Sequence, residues 1–285
     1  MGMRTLQQII PSIRASDGAG VKLRRSIGQR QGVWLDPFLM LDEFSSDNPD
    51  DYLAGFPSHP HRGFETVTYI LDGHMLHEDH LGHRGDLLAG GVQWMTAGRG
   101  IIHSEMPQQK EGRLRGFQLW INLPAAEKMK PASYRDIAAA EIPQVPLAGG
   151  GVVKVIAGEV RVDARTHAGP IRGLSTDPLY LDVSLPAGGR LEQPIVDDYV
   201  AFVYPYEGTL QIGDAAEHIV PTHAAGVLGP GTQLSLRTPT APSRFLLLAG
   251  KPLREPIVQY GPFVMNTRAE IEQALRDLQA GTLAV

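Results

Sequence analysis

"FPSHPHRGFETVTYILDG", Phe56 to Gly73, sets two histidines one residue apart ahead of a run that alternates as a strand does. Thr66 and Thr68 alternate with Val67 and Tyr69, and Asp72-Gly73 closes the run with a turn signal. Spaced i, i+2 on an extended segment, His59 and His61 share a face. They lie roughly 6–7 Å apart along the backbone, so both can converge on one ion. The plainer reading is a pair of half-buried histidines beside a turn, and this stretch alone does not choose between the two.

The rest of the chain is consistent with a fold made of such runs. Its 285 residues suit one large or two modest domains. Hydrophobic residues are 42 % and charged residues 20 %, as in ordinary globular proteins. With 32 Gly and 22 Pro, many short strands joined by turns are favoured over a helical bundle. A net charge of −5 with no Lys/Arg cluster argues against direct nucleic-acid binding. No apolar stretch is long enough to span a bilayer, and "MGMRTLQQIIPSIRASDG" lacks the apolar core of a secretion signal, so a soluble cytoplasmic protein is expected. The chain has no cysteine, so thiolate ligands, disulfides and cysteine nucleophiles are excluded, and any metal must be held by nitrogen and oxygen.

Strand-like segments fill residues 1–123. "LRGFQLWINLP" places Phe117, Leu119 and Ile121 on one parity. From Pro124 to about residue 150 the chain carries Pro131, Pro143, Pro146 and the run Gly149 to Gly151, which predicts an irregular inter-domain crossing at 124–150. Strands resume over 151–285 in "VVKVIAGEV", "LYLDVSLPAG" and "DDYVAFVYPYEGTLQIG". The two halves resemble one another as strand, glycine turn and strand, which suggests a duplicated β-domain. "NTRAEIEQALRDLQAG" predicts a helix near 268–280, with Thr267 and Glu270 as a capping box and an apolar stripe through Ile271, Ala274, Leu275 and Leu278.

Of ten histidines, seven (His59, His61, His74, His77, His80, His83 and His103) crowd into residues 59–103. "TAGRGIIHSE" supplies His103 and Glu105, again at i, i+2 behind a glycine turn. Two such pairs can close a site of three imidazoles and one carboxylate, a donor set for Fe, Mn, Co, Ni or Zn rather than Ca. Glu65 leaves the ligand set open. In a straight strand it lies about 13 Å beyond His61, but a bend at Arg62-Gly63 can return it.

"HPHRGFETVTYIL", "QWMTAGRGIIHSEMP", "GFQLWINLP" and "GKPLREPIVQYGPFVMNTRAEI" together resemble the pirins, two-domain members of the cupin superfamily, over nearly the whole chain. The resemblance implies an all-β fold of two jelly-roll-like barrels with a C-terminal helix. It implies His59, His61, His103 and Glu105 as ligands of one divalent transition-metal ion in the first barrel. Fe(II) is the first choice of ion, with Mn, Co, Ni, Cu or Zn as alternatives. Glu65, a ligand in many other cupins, moves behind the ligands; Glu105 is then both ligand and candidate catalytic base, with Glu65 as the second candidate base. The implied activity is of quercetinase type, the opening of a flavonol-like ring by O2 with loss of carbon monoxide, on a small aromatic or enolic substrate. The rival implication is a non-enzymatic, metal- or redox-sensing protein that engages a transcription regulator or a metabolic enzyme. The second half shows no histidine pair in "QPIVDDYVAFVYPYEG" and no His or Glu in "GVLGPGTQLSLRT", so no second metal site is expected. "HMLHEDHLGHRGD" reads as a solvated hairpin near the barrel mouth, with contact to substrate as the sharper alternative. Trp94, Met95 and Met106 read as core, or as lining of an apolar pocket.

Overall fold

Alternating runs ended by glycine become strands, and the computed structural model, which describes residues 2–30 and 32–284, consists almost wholly of them. The chain forms β1 (Leu6–Pro11), β2 (Ile13–Asp17), β3 (Val21–Ile27), β4 (Phe38–Ser46), β5 (Phe56–His61) and β6 (Phe64–Asp72). It continues through β7 (His74–Asp79), β8 (Arg84–Leu88), β9 (Val92–Thr96), β10 (Ile101–Pro107), β11 (Leu114–Asn122) and β12 (Ser133–Ile137). There follow β13 (Gln144–Pro146), β14 (Val152–Ala157), β15 (Glu159–Val162), β16 (Arg165–Ala168), β17 (Leu179–Leu185) and β18 (Gly189–Pro194). Then come β19 (Val200–Glu207), β20 (Leu210–Ile212), β21 (Ile219–Val220), β22 (Ala224–Leu228), β23 (Gln233–Thr238) and β24 (Ser243–Gly250). The chain closes with β25 (Val258–Tyr260), β26 (Phe263–Met265) and α1 (Arg268–Gln279).

These elements form two compact units with the same plan. One unit has a seven-stranded antiparallel sheet, ordered β12-β9-β6-β11-β4-β3-β2, and a four-stranded sheet, β5-β10-β7-β8. The other has a seven-stranded sheet, β1-β22-β19-β24-β17-β14-β13, and a four-stranded sheet, β18-β23-β20-β21. The expected pair of β-barrels is therefore present. The first encloses Val21, Leu23, Phe44, Ile70, Met75 and Leu87, and the second a larger set that includes Val155, Leu181, Val203, Leu236 and Phe245. Each such buried side chain contributes about 1.5–3 kcal/mol of transfer free energy.

The units do not follow chain order. Residues up to Ser12 join Ala140–Pro252, and Ile13–Ala139 joins Leu253 onward. This differs from the expected division at 1–123, 124–150 and 151–285. The reason lies in edge pairing: β1 adds to β22, with Ile9 opposite Gly226, and so belongs to the second barrel. The C-terminal segment packs Phe263, Met265, Ile271, Ala274 and Leu283 as one cluster in the first unit. Nor is 124–150 an irregular crossing. β12 lies within it and pairs with β9, with Tyr134 opposite Met95, while β13 starts the second barrel against β14.

The helix matches its sequence signature. The Thr267 side chain accepts from the Glu270 amide at 3.2 Å, and the Glu270 carboxylate accepts from the Thr267 amide at 2.7 Å. No helix among the described residues is long and apolar enough to cross a membrane.

The corner that places the site is at Arg62-Gly63. β5 ends at His61 in the four-stranded sheet, and β6 starts at Phe64 in the seven-stranded one. Gly63 turns there with φ +91°, and an added Cβ would run into the Val264 carbonyl oxygen, so glycine is required on both counts.

Candidate metal centre

β5 and β10 pair antiparallel, with His59 opposite His103 and His61 opposite Ile101. The two sequence motifs thus become neighbours because their strands do. Ring centroids lie 4.6 Å apart for His59 and His61, 4.4 Å for His59 and His103, and 5.0 Å for His61 and His103. One ring nitrogen from each of the three lies within 4.8 Å of the others. His61 and His103 are buried, and His59 is half-buried. Phe64 and Trp120 stand against His61 at 5.2 and 5.4 Å between centroids.

The donor chemistry fits a transition-metal ion. His61 Nδ1 and His103 Nε2 are buried without a hydrogen-bond partner, an arrangement that costs free energy unless something takes up the lone pairs. His59 spends Nδ1 on the Pro57 carbonyl at 2.8 Å, which leaves Nε2. Burial holds the His61 and His103 imidazoles well below their usual pKa, and the neighbouring rings lower them further. Both are therefore neutral, the form that binds a metal.

Glu105 follows on β10, past a register shift between it and His103. Its carboxylate is buried and lines the same cavity. It is not among the mutually close donor atoms, being held instead by two side chains of the facing sheet. Gln118 Nε2 donates to Glu105 Oε2 at 3.0 Å. The Thr68 hydroxyl lies 2.7 Å from both Glu105 Oε1 and Gln118 Oε1, and its single proton serves one at a time.

Glu65 is elsewhere. The bend at Arg62-Gly63 exists, but beyond it the side chains that turn towards β5 and β10 are Thr66 and Thr68. Thr68 reaches Glu105, so Glu65, of opposite parity, faces away from the three histidines. Its carboxylate accepts from Thr96 Oγ1 at 2.7 Å and Trp94 Nε1 at 3.2 Å, with Lys130 Nζ at 3.9 Å. Burial raises its pKa. It is a structural carboxylate of the outer face and cannot act as a base at the centre.

Of the polar hairpin, His77 alone reaches the centre. It is buried, and its Nδ1 lies 3.2 Å from His103 Nδ1. His74 pairs with Asp86 at 2.7 Å, His83 with Asp79 at 2.9 Å, and His80 Nδ1 accepts from the Ile102 amide at 3.4 Å. β7 pairs with β10, with His77 opposite Glu105, so period-2 counting along β7 separates His77 from His74 and His80 once that pairing is known. Met95 packs with Ala97 and Ile101 in the core.

The cavity above the histidines measures about 640 Å³. Apolar and aromatic side chains (Met40, Phe44, Phe56, Trp120) share its wall with Arg25 and Asp42, two residues the motifs do not reveal. Arg25 forks onto Asp42, Nε to Oδ1 at 2.8 Å and Nη2 to Oδ2 at 2.7 Å. Burial pushes the Asp42 carboxyl up to about 6, and the fork keeps it from rising further, so the pair is ionic at neutral pH.

Comparison with known proteins bears on the fold and the family. The family model "Pirin" matches residues 20–121, and "Pirin C-terminal cupin domain" matches 180–284. The chain is 57 % identical over 271 residues, 95 % of either protein, to one from Pseudomonas aeruginosa named "Putative quercetin 2,3-dioxygenase". It is 46 % identical over 270 residues to pirin of Homo sapiens, covering 93 % of this chain and 88 % of that one. A crystal structure titled as quercetin 2,3-dioxygenase from Acinetobacter baumannii superposes with TM-score 0.90 at 33 % identity, covering 99 % of each chain. A bacterial pirin of Escherichia coli in complex with nickel(II) shares the fold at TM-score 0.63 and 20 % identity, covering 86 % of this chain and 98 % of that one.

Proposed function

This chain belongs to the pirin family, and we propose that its first barrel is a metal-dependent dioxygenase of quercetinase type, with His59, His61, His103 and Glu105 holding one divalent ion. Fe(II) is our first choice among the ions that suit three imidazoles and a carboxylate. The observation that carries the reading is the convergence of three histidines, two of them buried with unpartnered nitrogens, beside a cavity of about 640 Å³ that His59 and His61 line.

When bound, the ion supplies a Lewis acid and the one-electron chemistry through which an enolic substrate meets O2. The chain's own residues do the rest. Trp120, Phe44 and Phe56 cover an aromatic substrate and exclude water from it. Glu105 is the carboxylate placed to take the enol proton, and Gln118 and Thr68 orient it. Ring opening of a flavonol with loss of carbon monoxide is the reaction we assign.

The test is reconstitution with Fe(II), Mn(II), Co(II) or Ni(II), followed by loss of quercetin absorbance in air, with His59→Ala/His103→Ala as control. Turnover that the double variant lacks supports the assignment. Equal turnover in the variant removes it from this site. Stoichiometric metal with no turnover on any ion would favour a metal-sensing role over an enzymatic one.

A further inference from the structure

The seven-stranded sheet of the first unit carries a line of four polar side chains, three of which (Arg25, Asp42 and Gln118) line the cavity. Arg25 on β3 stands opposite Asp42 on β4, Asp42 opposite Gln118 on β11, and Gln118 opposite Thr68 on β6. Four adjacent strands each place one polar residue at the same level. The next residues of that parity on β4 are Met40 and Phe44, and on β11 Trp120, so on these two strands the polar level has apolar neighbours. One end of the line holds Glu105 through Gln118 and Thr68. The other end is the Arg25–Asp42 fork, with Arg25 two strand spacings from Gln118, or roughly 10 Å.

Arg25 is arranged as a fixed donor. Its Nε hydrogen goes to Asp42 Oδ1, and Nη2 serves Asp42 Oδ2 and Asp17 Oδ2, each at 2.7 Å. Among the described residues no acceptor holds Nη1, which leaves two hydrogens of a clamped, planar guanidinium for something else. Arg25 and Asp42 both line the cavity that His59, His61 and Glu105 line.

We propose that Arg25, clamped by Asp42, determines substrate specificity by binding a phenolic oxygen at the end of the substrate remote from the metal-chelating group. The substrate class is then a polyhydroxylated aromatic with a chelating enol or catechol at one end and a free phenol at the other. This inference rests on the metal-binding reading above and deepens it.

Binding without turnover tests it. The protein is loaded with Zn(II), which does not activate O2, and its metal content is measured. Affinities for quercetin and for 3-hydroxyflavone are then read by fluorescence quenching. Both probes carry the 3-hydroxy-4-keto chelating group, and only quercetin carries the remote phenols. The wild type is expected to prefer quercetin by roughly ten- to a hundredfold, the worth of one hydrogen bond to a charged group. Arg25→Gln is expected to bring the two affinities to within about threefold while the 3-hydroxyflavone affinity holds. Arg113→Gln removes an exposed arginine that pairs with Asp47 and does not line the cavity, and is expected to keep the preference. Equal wild-type affinities, a preference that survives Arg25→Gln, or a preference lost in Arg113→Gln would overturn the proposal. Should the zinc-loaded wild type bind neither probe, the substrate reading of the cavity itself falls, an outcome separate from a failure of Arg25 to discriminate.

Discussion

His77 and His103 face one another Nδ1 to Nδ1 at 3.2 Å, both buried, on the paired strands β7 and β10. Only one proton fits between two neutral imidazole nitrogens at that distance. For His103 to offer the lone pair of Nε2, its Nδ1 must carry the proton and His77 must accept it. His77 would thereby set the tautomer of His103 in the proposed centre. His77→Ala is expected to weaken binding of Zn(II) or Ni(II) about 10- to 100-fold, as removal of such supporting bonds commonly does. Competition against a chelator measures this. His83→Ala, whose ring pairs with Asp79 on the exposed side of the hairpin, should leave the affinity unchanged.

The two glutamates of the motifs should separate just as cleanly. Glu105 borders the cavity, while Glu65 is fixed to Thr96 and Trp94 on the other face of the sheet. Glu105→Gln is expected to lower metal affinity by about tenfold or more, since it removes an anionic donor. Glu65→Gln should leave metal stoichiometry and affinity intact, because the amide oxygen can accept from Trp94 Nε1 while the amide nitrogen donates to the Thr96 hydroxyl, which can also accept. Elemental analysis after dialysis at fixed metal supply distinguishes them. Metal loss in Glu65→Gln with none in Glu105→Gln would reverse the assignment.

Much of this centre is legible in the sequence because strand geometry is periodic. The i, i+2 spacings of His59/His61 and His103/Glu105 are enough to put each pair on one face. Which strands are neighbours is not periodic, and that is where legibility ends. The hairpin of histidines looks uniformly solvated until β7 is laid against β10, which takes His77 alone inward. Arg25 and Asp42 are 17 residues apart and carry no motif, and only the pairing of β3 with β4 makes them a unit. The ends of the chain mislead for the same reason: β1 finds its partner at an edge supplied more than 200 residues later.

Lys128 makes a prediction about the corner behind the histidines. Its buried Nζ donates to Gly63 O at 2.7 Å, Asn122 Oδ1 at 2.6 Å and Val264 O at 2.9 Å, so it ties the Arg62-Gly63 bend to β26. Burial lowers its pKa from 10.5 to about 8. Each bond to a charged donor is worth about 1.5–3 kcal/mol. Against this stands a burial cost of about 3 kcal/mol at neutral pH, from the depressed pKa. Lys128→Met is therefore expected to lose a net of about 2–5 kcal/mol, read by denaturant unfolding. The sign with pH follows from a folded pKa below the unfolded one. As pH rises from about 8 to 10.5, the folded lysine sheds its proton first, and its burial cost is relieved. The wild type should gain stability over that window relative to Lys128→Met. A gap that narrows instead would mean that the folded lysine stays charged.

Acid should loosen the metal-free protein through the same histidines that the proposal assigns to the ion. His61 and His103 are held well below 6.5 in the folded state by burial, and His77 is lowered by burial too. Groups with depressed folded pKa values take up protons in the unfolded chain first. Their contribution is fully present above pH 6.5 and is lost as pH falls below it. Each removes up to about 1.4 kcal/mol per pH unit. Asp42 acts in the opposite sense, since its folded carboxyl at about 6 takes a proton before the unfolded one near 4 does, so it offsets part of the loss between those values. The wild-type acid limb is thus a sum, and a difference isolates one group. His61→Leu keeps an apolar side chain against Phe64 and Trp120 and removes one titration. Its unfolding free energy, followed in the absence of metal from pH 7 to 5, should fall less steeply than that of the wild type by about one proton's worth, up to about 1.4 kcal/mol per pH unit. Parallel limbs would mean that His61 accepts a proton within the folded protein, and the neutral donor set assigned to the centre would lose one of its members.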